Sequence, residues 1–263
     1  MTRLQWYTLT IAAFALVACG GEEQGVGALR GGVVDYQLGG AYEPDDEVTI
    51  VVRDRTDEPD PSRYSICYVN AFQTQPDERD TIAREHPQLL LTGPDGPVTD
   101  PDWPDEQLFD LSTSELRNEV LGIVEPWIAG CAEDGFAAVE ADNLDAWTRS
   151  QGLYTREDAE AFSERLTELA HEHGLAIGQK NAAEVDGPSL GFDFAVTEEC
   201  AVFDECRTFS DLYGERVIEI EYTDNGREAF VEACRDRYDE HPITLCDRDL
   251  VRAGEKGHVF ETC

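Results

Sequence analysis

Lysine is almost missing from this chain of 263 residues: Lys180 and Lys256 are the only two. Lysine and arginine together number 20 against 56 acidic residues, a formal net charge of −36. A surface of that sign repels phosphates, so nucleic acid is a poor partner. The same field serves solubility in salt or draws in a cationic polymer, and the two are compatible. Long apolar runs are also scarce. The longest, Leu9 to Ala18, is too short to span a bilayer. No two cysteines stand in C-x-x-C spacing, which argues against structural zinc and dithiol redox chemistry. His171 and His173 are two apart on an expected helix and so face different ways. No metal site and no cofactor is expected.

Arg3, the apolar run and a small residue at position 18 make residues 1–18 a secretory signal peptide. Leu16-Val17-Ala18-Cys19 resembles the bacterial lipobox, which makes Cys19 the lipidated first residue of the mature chain. Residues 19–31 are rich in Gly and Glu, read as a flexible tether, and residues 32–263 as one domain. The protein is thus expected at the outer face of the cell envelope, touching the membrane through its lipid alone, or else secreted. Export permits disulfides. Seven further cysteines leave at least one unpaired. The expected pairs are Cys67–Cys131 on adjacent units, Cys200–Cys206 closing a small loop, and Cys234–Cys263 pinning the C-terminus, with Cys246 free.

Short apolar runs ending in polar residues recur along the chain. The first three are Val33 to Leu38, Val48 to Val52 and Tyr64 to Asn70; the others are Phe136 to Val139, Leu175 to Ile177, Phe192 to Val196, Val217 to Ile220 and Ile243 to Cys246. Such runs read as buried parallel strands, and eight of them close a (β/α)8 barrel. Helical spacing predicts helices over Glu115 to Ala129, with Ser112 or Ser114 as cap, from Thr155 to His173 behind a capping box, and over Arg227 to Arg235. The first two crossovers are short and rich in Pro, Asp and Glu, so helices there are abbreviated.

Polar groups gathered at the C-terminal strand ends mark a barrel's catalytic face. Carboxylates dominate them, and paired carboxylates at controlled separation are what glycoside hydrolysis needs. Asp142 and Glu199 are the candidate catalytic pair, one ionised and the other held protonated by neighbouring negative charge. Lys180 among those carboxylates is expected either to bind sugar hydroxyls or lower the nucleophile's pKa, or to form a salt bridge within the barrel mouth. Asp35, Tyr68, Asn70, Asn143, Asn181, Glu198, Tyr222 and Asp224 complete the expected substrate-binding set. Trp103 and Tyr222 offer faces for stacking on sugar rings.

Asp35-Tyr36-Gln37-Leu38, Ile66-Cys67-Tyr68, Asp102-Trp103-Pro104, and above all Gly135 to Asp145, Gly174 to Asn181 and Gly191 to Cys200 resemble glycoside hydrolase family 114, over roughly residues 33–263. That resemblance implies a TIM-type barrel that cleaves α-1,4-linked galactosamine-rich polysaccharide internally. It also implies catalytic acids after the fourth and sixth strands, on Asp142 and Glu199. If Asp142 is the nucleophile, the reaction retains anomeric configuration and the carboxyls stand about 5–5.5 Å apart. The alternatives are a non-catalytic glycan-binding lipoprotein, or a barrel glycosidase acting on a neutral or N-acetylated α-glycan. A monomer is expected.

Overall fold

The structure is a computed structural model and describes residues 26–237 and 239–263. The expected signal peptide, Cys19 and most of the expected tether lie outside the described residues. Eight parallel strands follow one another round the sheet in sequence order. They are β1 (Val34–Gln37), β2 (Ile50–Asp54), β3 (Tyr64–Asn70), β4 (Ala138–Asp142), β5 (Ala176–Lys180), β6 (Phe194–Glu198), β7 (Val217–Tyr222) and β8 (Ile243–Cys246). A short ninth strand, β9 (Phe260–Thr262), runs antiparallel on the far side of β8. No backbone ladder joins β8 to β1. The seam there carries a side-chain bond, from the Thr244 hydroxyl to the Val34 carbonyl at 2.8 Å. This is the expected TIM-type barrel, nearly closed.

Side chains alternate between the faces of a strand. Here the parity holds in register round the whole ring: Ile66 pairs with Ala138, Tyr68 with Glu140, Asn70 with Asp142, and Gly178 with Phe194. The lumen is therefore packed by even-numbered residues, among them Val34, Ile50, Ile66, Ala138, Phe194, Ile218 and Ile220. The layer under the helices takes odd ones, Val69, Val139, Ala141, Ile177 and Ala195. Gly178 lets the Phe194 ring cross the lumen, since a Cβ there would lie 2.5 Å from it. Leu29, in a short 3-10 turn (Val26–Leu29), is fully buried in the luminal cluster. The domain therefore starts earlier than residue 32, and 26–31 is not a tether.

Helices cover the later strands. Besides the short α1 (Arg79–Glu85), they are α2 (Ser114–Asp134), α3 (Arg156–Glu172), α4 (Cys200–Phe203), α5 (Cys206–Tyr213) and α6 (Glu228–Arg237). α2 is capped by Thr113, whose hydroxyl accepts the Leu116 N–H. The cap thus lies between the two expected serines, and the helix runs on past Ala129 to a left-handed Gly135. The Thr155–Asp158 capping box of α3 is present. No helix lies between β1 and β2 or between β2 and β3. There the outer wall is polar: Arg53 donates to Gln37 at 2.9 Å, and Gln37 to Asp35 at 2.8 Å. The disulfides are Cys67–Cys131, Cys200–Cys206 and Cys234–Cys263, with Cys246 buried and free, as expected. No described helix is long and apolar enough to cross a membrane.

The odd face of β7 buries two acids beneath α4 to α6. Glu219 is paired with Arg237 at 2.7 Å and with His241 at 3.1 Å. Glu221 accepts the Ala201 N–H at 3.0 Å, and its other oxygen has no partner. Burial, with the charges of Glu219 and Glu199, pushes the Glu221 carboxyl up to about 7 against the opposing Ala201 bond. A folded value raised in this way favours the protonated form, so its contribution to stability is full below the ordinary glutamate value and is lost as pH rises towards 7. Glu221→Gln should remove that loss and stabilise the protein at pH 8 by on the order of 2–3 kcal/mol. Urea unfolding at pH 5 and pH 8 checks it; equal pH dependence in wild type and variant refutes it.

Candidate active site

Lys180 ends β5 on the luminal parity and is 2% exposed. Burial works against its charge, but three carboxylates outweigh that and hold its pKa well above the usual lysine range. Its ammonium stands 2.9 Å from Glu140 Oε1, 3.3 Å from Glu198 Oε2 and 3.5 Å from Asp142 Oδ1. It also donates to the Tyr36 hydroxyl at 2.9 Å, and that hydroxyl donates to Glu140 at 2.6 Å. The Tyr36 and Tyr68 rings flank it at 5.5 and 5.8 Å. One buried cation thus gathers the inward carboxylates of β4 and β6.

Two of the carboxylates that line the cleft, Asp142 and Glu198, each have their own brace. Asp142 accepts the Tyr68 hydroxyl at 2.7 Å and the Asn143 amide at 2.8 Å. Burial pushes Asp142 up, yet Lys180, Tyr68 and the Asn143 amide more than offset it and hold the carboxyl below the usual aspartate range. Glu198 accepts from the Tyr222 hydroxyl and from Asn181 Nδ2, while Asn181 Oδ1 takes the Glu198 backbone N–H at 2.7 Å. Both line a cleft of about 430 Å³ with Tyr36, Tyr68, Trp103, Glu106, Lys180, Tyr222 and Arg248. Directly after the inward residue of β4, β5 and β6 stand Asn143, Asn181 and Glu199, all in left-handed backbone. The chain turns sharply there, a conformation costly for Glu and persistent only where its surroundings enforce it.

Of the residues expected here, Asp142, Lys180, Glu198, Tyr68 and Tyr222 meet in the cleft. Asn143 joins its lining and donates to Asn70, which donates to Glu106. Asn181 braces Glu198. Glu199 does not line the cleft: its turn carries it outward, where Arg248 and Asn225 bind it and hold its carboxyl below the usual range. Asp224 lies on the same outer rim, also bonded to Arg248. Asp35 is misplaced too. It sits on the outer face of β1, bonded to Tyr42 at 2.6 Å and to Gln37; Tyr36 is the residue that faces inward. Tyr36, Glu140, Glu106 and Arg248 were not among the expected residues. Luminal parity finds the first two, since both fall in phase with Asp142, Lys180 and Glu198.

Gly187-Pro188-Ser189-Leu190-Gly191 spells a serine nucleophile elbow, but its geometry is different. The segment is a 3-10 turn (Gly187–Leu190), and Ser189 donates its hydroxyl to the Asp186 carbonyl. An elbow needs a strand leading into a helix. The chemistry of the cleft is carboxylate chemistry.

Among solved structures, Aspergillus fumigatus Ega3 in complex with galactosamine superposes with TM-score 0.70 at 20% identity, covering 90% of this chain and 95% of that one. The glycoside hydrolase domain of PelA from Pseudomonas aeruginosa gives 0.57 at 17% identity, covering 85% of this chain and 97% of that one. A variant of that domain gives 0.59 at 16% identity, with the same shares covered. At such identities these likenesses establish the fold. No curated protein sequence matches the chain. The model of glycoside-hydrolase family GH114 matches residues 24–263. The match takes in every strand of the barrel and every residue of the cleft, and the chain belongs to that family of glycoside hydrolases.

Proposed function

We propose that the chain is an endo-acting hydrolase of galactosamine-rich polysaccharide, with Asp142 and Glu198 as its catalytic carboxylates in place of the pair Asp142 and Glu199. The observation that carries this reading is the single ammonium of Lys180, 3.5 Å from one carboxylate and 3.3 Å from the other. Those oxygens are therefore at most roughly 7 Å apart, which admits the 5–5.5 Å of a retaining pair. Asp142, kept ionised, is the nucleophile. Glu198 is the acid/base, its carboxyl fixed by Tyr222. Glu198 protonates the glycosidic oxygen as Asp142 bonds to the anomeric carbon; Glu198 then takes a proton from the water that cleaves this ester.

The galactosamine bound in the Ega3 complex and the net charge of −36 support an amino-sugar polymer as substrate. Lipid anchoring at Cys19 would place the enzyme on the outer envelope. Purified protein incubated with α-1,4-galactosamine oligomers, deacetylated and N-acetylated, tests the reading. Cleavage of the deacetylated chains, with the α-anomer formed first by NMR, is expected. Binding without cleavage would make the protein a glycan-binding lipoprotein, and cleavage of only acetylated or neutral chains would move the substrate class.

A further inference from the structure

Arg248 follows β8 and, among the described residues, is with the buried Lys180 one of two cations lining the cleft. Its guanidinium carbon lies 4.0 Å over the Tyr222 ring, covering a face on which a sugar could stack. Behind it stand two carboxylates. Nη1 and Nη2 reach Glu199 at 3.1 and 2.6 Å, and Nε and Nη2 each reach Asp224 at 3.0 Å. A flat cation thus rests on an aromatic face with its N–H groups turned to two acids. Glu199 and Asp224 outnumber it, so the group keeps one net negative charge. The side chain is 39% exposed and so has solvent to move into.

Resting on the amino-sugar reading, we propose that Arg248 is a specificity-determining residue: it occupies the place of a substrate ammonium and yields to it. A sugar unit with a free amine offers the same two features as the guanidinium, an apolar face for Tyr222 and a positive charge for Glu199 and Asp224. When such a unit enters, Arg248 swings into solvent and the ammonium takes over its two carboxylates. One set of charge-assisted bonds replaces another. An N-acetylated unit carries no charge and cannot displace the arginine, since that would leave Glu199 and Asp224 unpaired beside a neutral group. The site thereby selects deacetylated units at this position, and Tyr222 carries the contact to Glu198. Glu199, turned out of the catalytic pair, gains a role in recognition.

The test compares wild type, Arg248→Ala and the double variant Glu199→Gln/Asp224→Asn on deacetylated and N-acetylated oligomers of equal length, with thermal unfolding as the check on folding. Arg248→Ala removes the competitor, so KM for deacetylated chains should fall severalfold, with a smaller change in kcat and no gain on acetylated chains. The double variant should raise KM for deacetylated chains at least tenfold and lose most of the discrimination. The severalfold KM advantage of Arg248→Ala should shrink as salt rises. A KM for deacetylated chains that stays level or rises in a folded Arg248→Ala protein overturns the proposal while leaving the function intact. A wild type that cleaves no amino-sugar chain overturns both.

Discussion

Asp142→Asn and Glu198→Gln should each lower kcat by at least about a thousandfold while leaving the fold and substrate binding nearly intact. Asp142→Asn keeps the shape that accepts the Tyr68 hydroxyl but removes the charge that attacks the anomeric carbon. Glu198→Gln keeps contact with Tyr222 but has no acidic proton to give. Glu199→Gln should lose less than about tenfold in kcat, its effect falling on KM. Azide separates the two roles. Added to Asp142→Gly it should yield a glycosyl azide of inverted configuration; added to Glu198→Gly, one of retained configuration. If Glu199→Gln is the variant that loses turnover and Glu198→Gln is not, the assignment is reversed.

The second large effect should come from Lys180. Lys180→Met removes the one buried cation among Glu140, Asp142 and Glu198. Breaking one partner out of a buried charge cluster costs about 3–5 kcal/mol, and urea unfolding near neutral pH should show a loss of that order. The sign with pH follows from Asp142. Its folded pKa is depressed, so its pairing stabilises the wild type above the ordinary aspartate value, and that contribution is lost as pH falls through the folded value. In Lys180→Met the depression goes, repulsion among the carboxylates raises Asp142, and the acidic limb of kcat/KM moves to higher pH. An unchanged acidic limb in a folded variant would show that Lys180 does not set the charge of Asp142.

Strand number, strand order and the crowding of acids at one end were legible because apolar runs punctuated by polar ends are a strong local signal. Which acid faces inward was not read correctly at one strand. The sixth apolar run, taken from sequence, ends at Val196, which leaves Glu198 and Glu199 as equivalent neighbours in a loop. The strand in fact continues to Glu198, and the phase of Phe194 and Val196 carries on to it. Two further residues of strand decide between adjacent carboxylates. Asp35 misled for a different reason. Without a helix over β1, the outer face there is polar, so a polar residue on that strand does not mark the lumen. Glu140 and Tyr36 are not singled out as site residues because, short of the luminal phase, a polar side chain in mid-strand gives no sign of its partner, and theirs are 40 or more residues away. Leu29, one apolar residue among glycines, has no periodicity to reveal it.

The seam between β1 and β8 has a consequence for biosynthesis. The hydroxyl that bridges it belongs to Thr244, the strand that flanks it spans Phe260–Thr262, and Cys263 is tied back to Cys234 on α6. A chain emerging N-terminus first therefore carries Asp142, Lys180 and Glu198 in full before its ring can shut. Until β8 arrives, β7 presents an open edge, the kind of surface that recruits other chains. A product truncated before Ile243 would keep Asp142, Lys180 and Glu198 and yet be a sticky, unclosed sheet, so the arrival of β8 doubles as the check on a finished barrel.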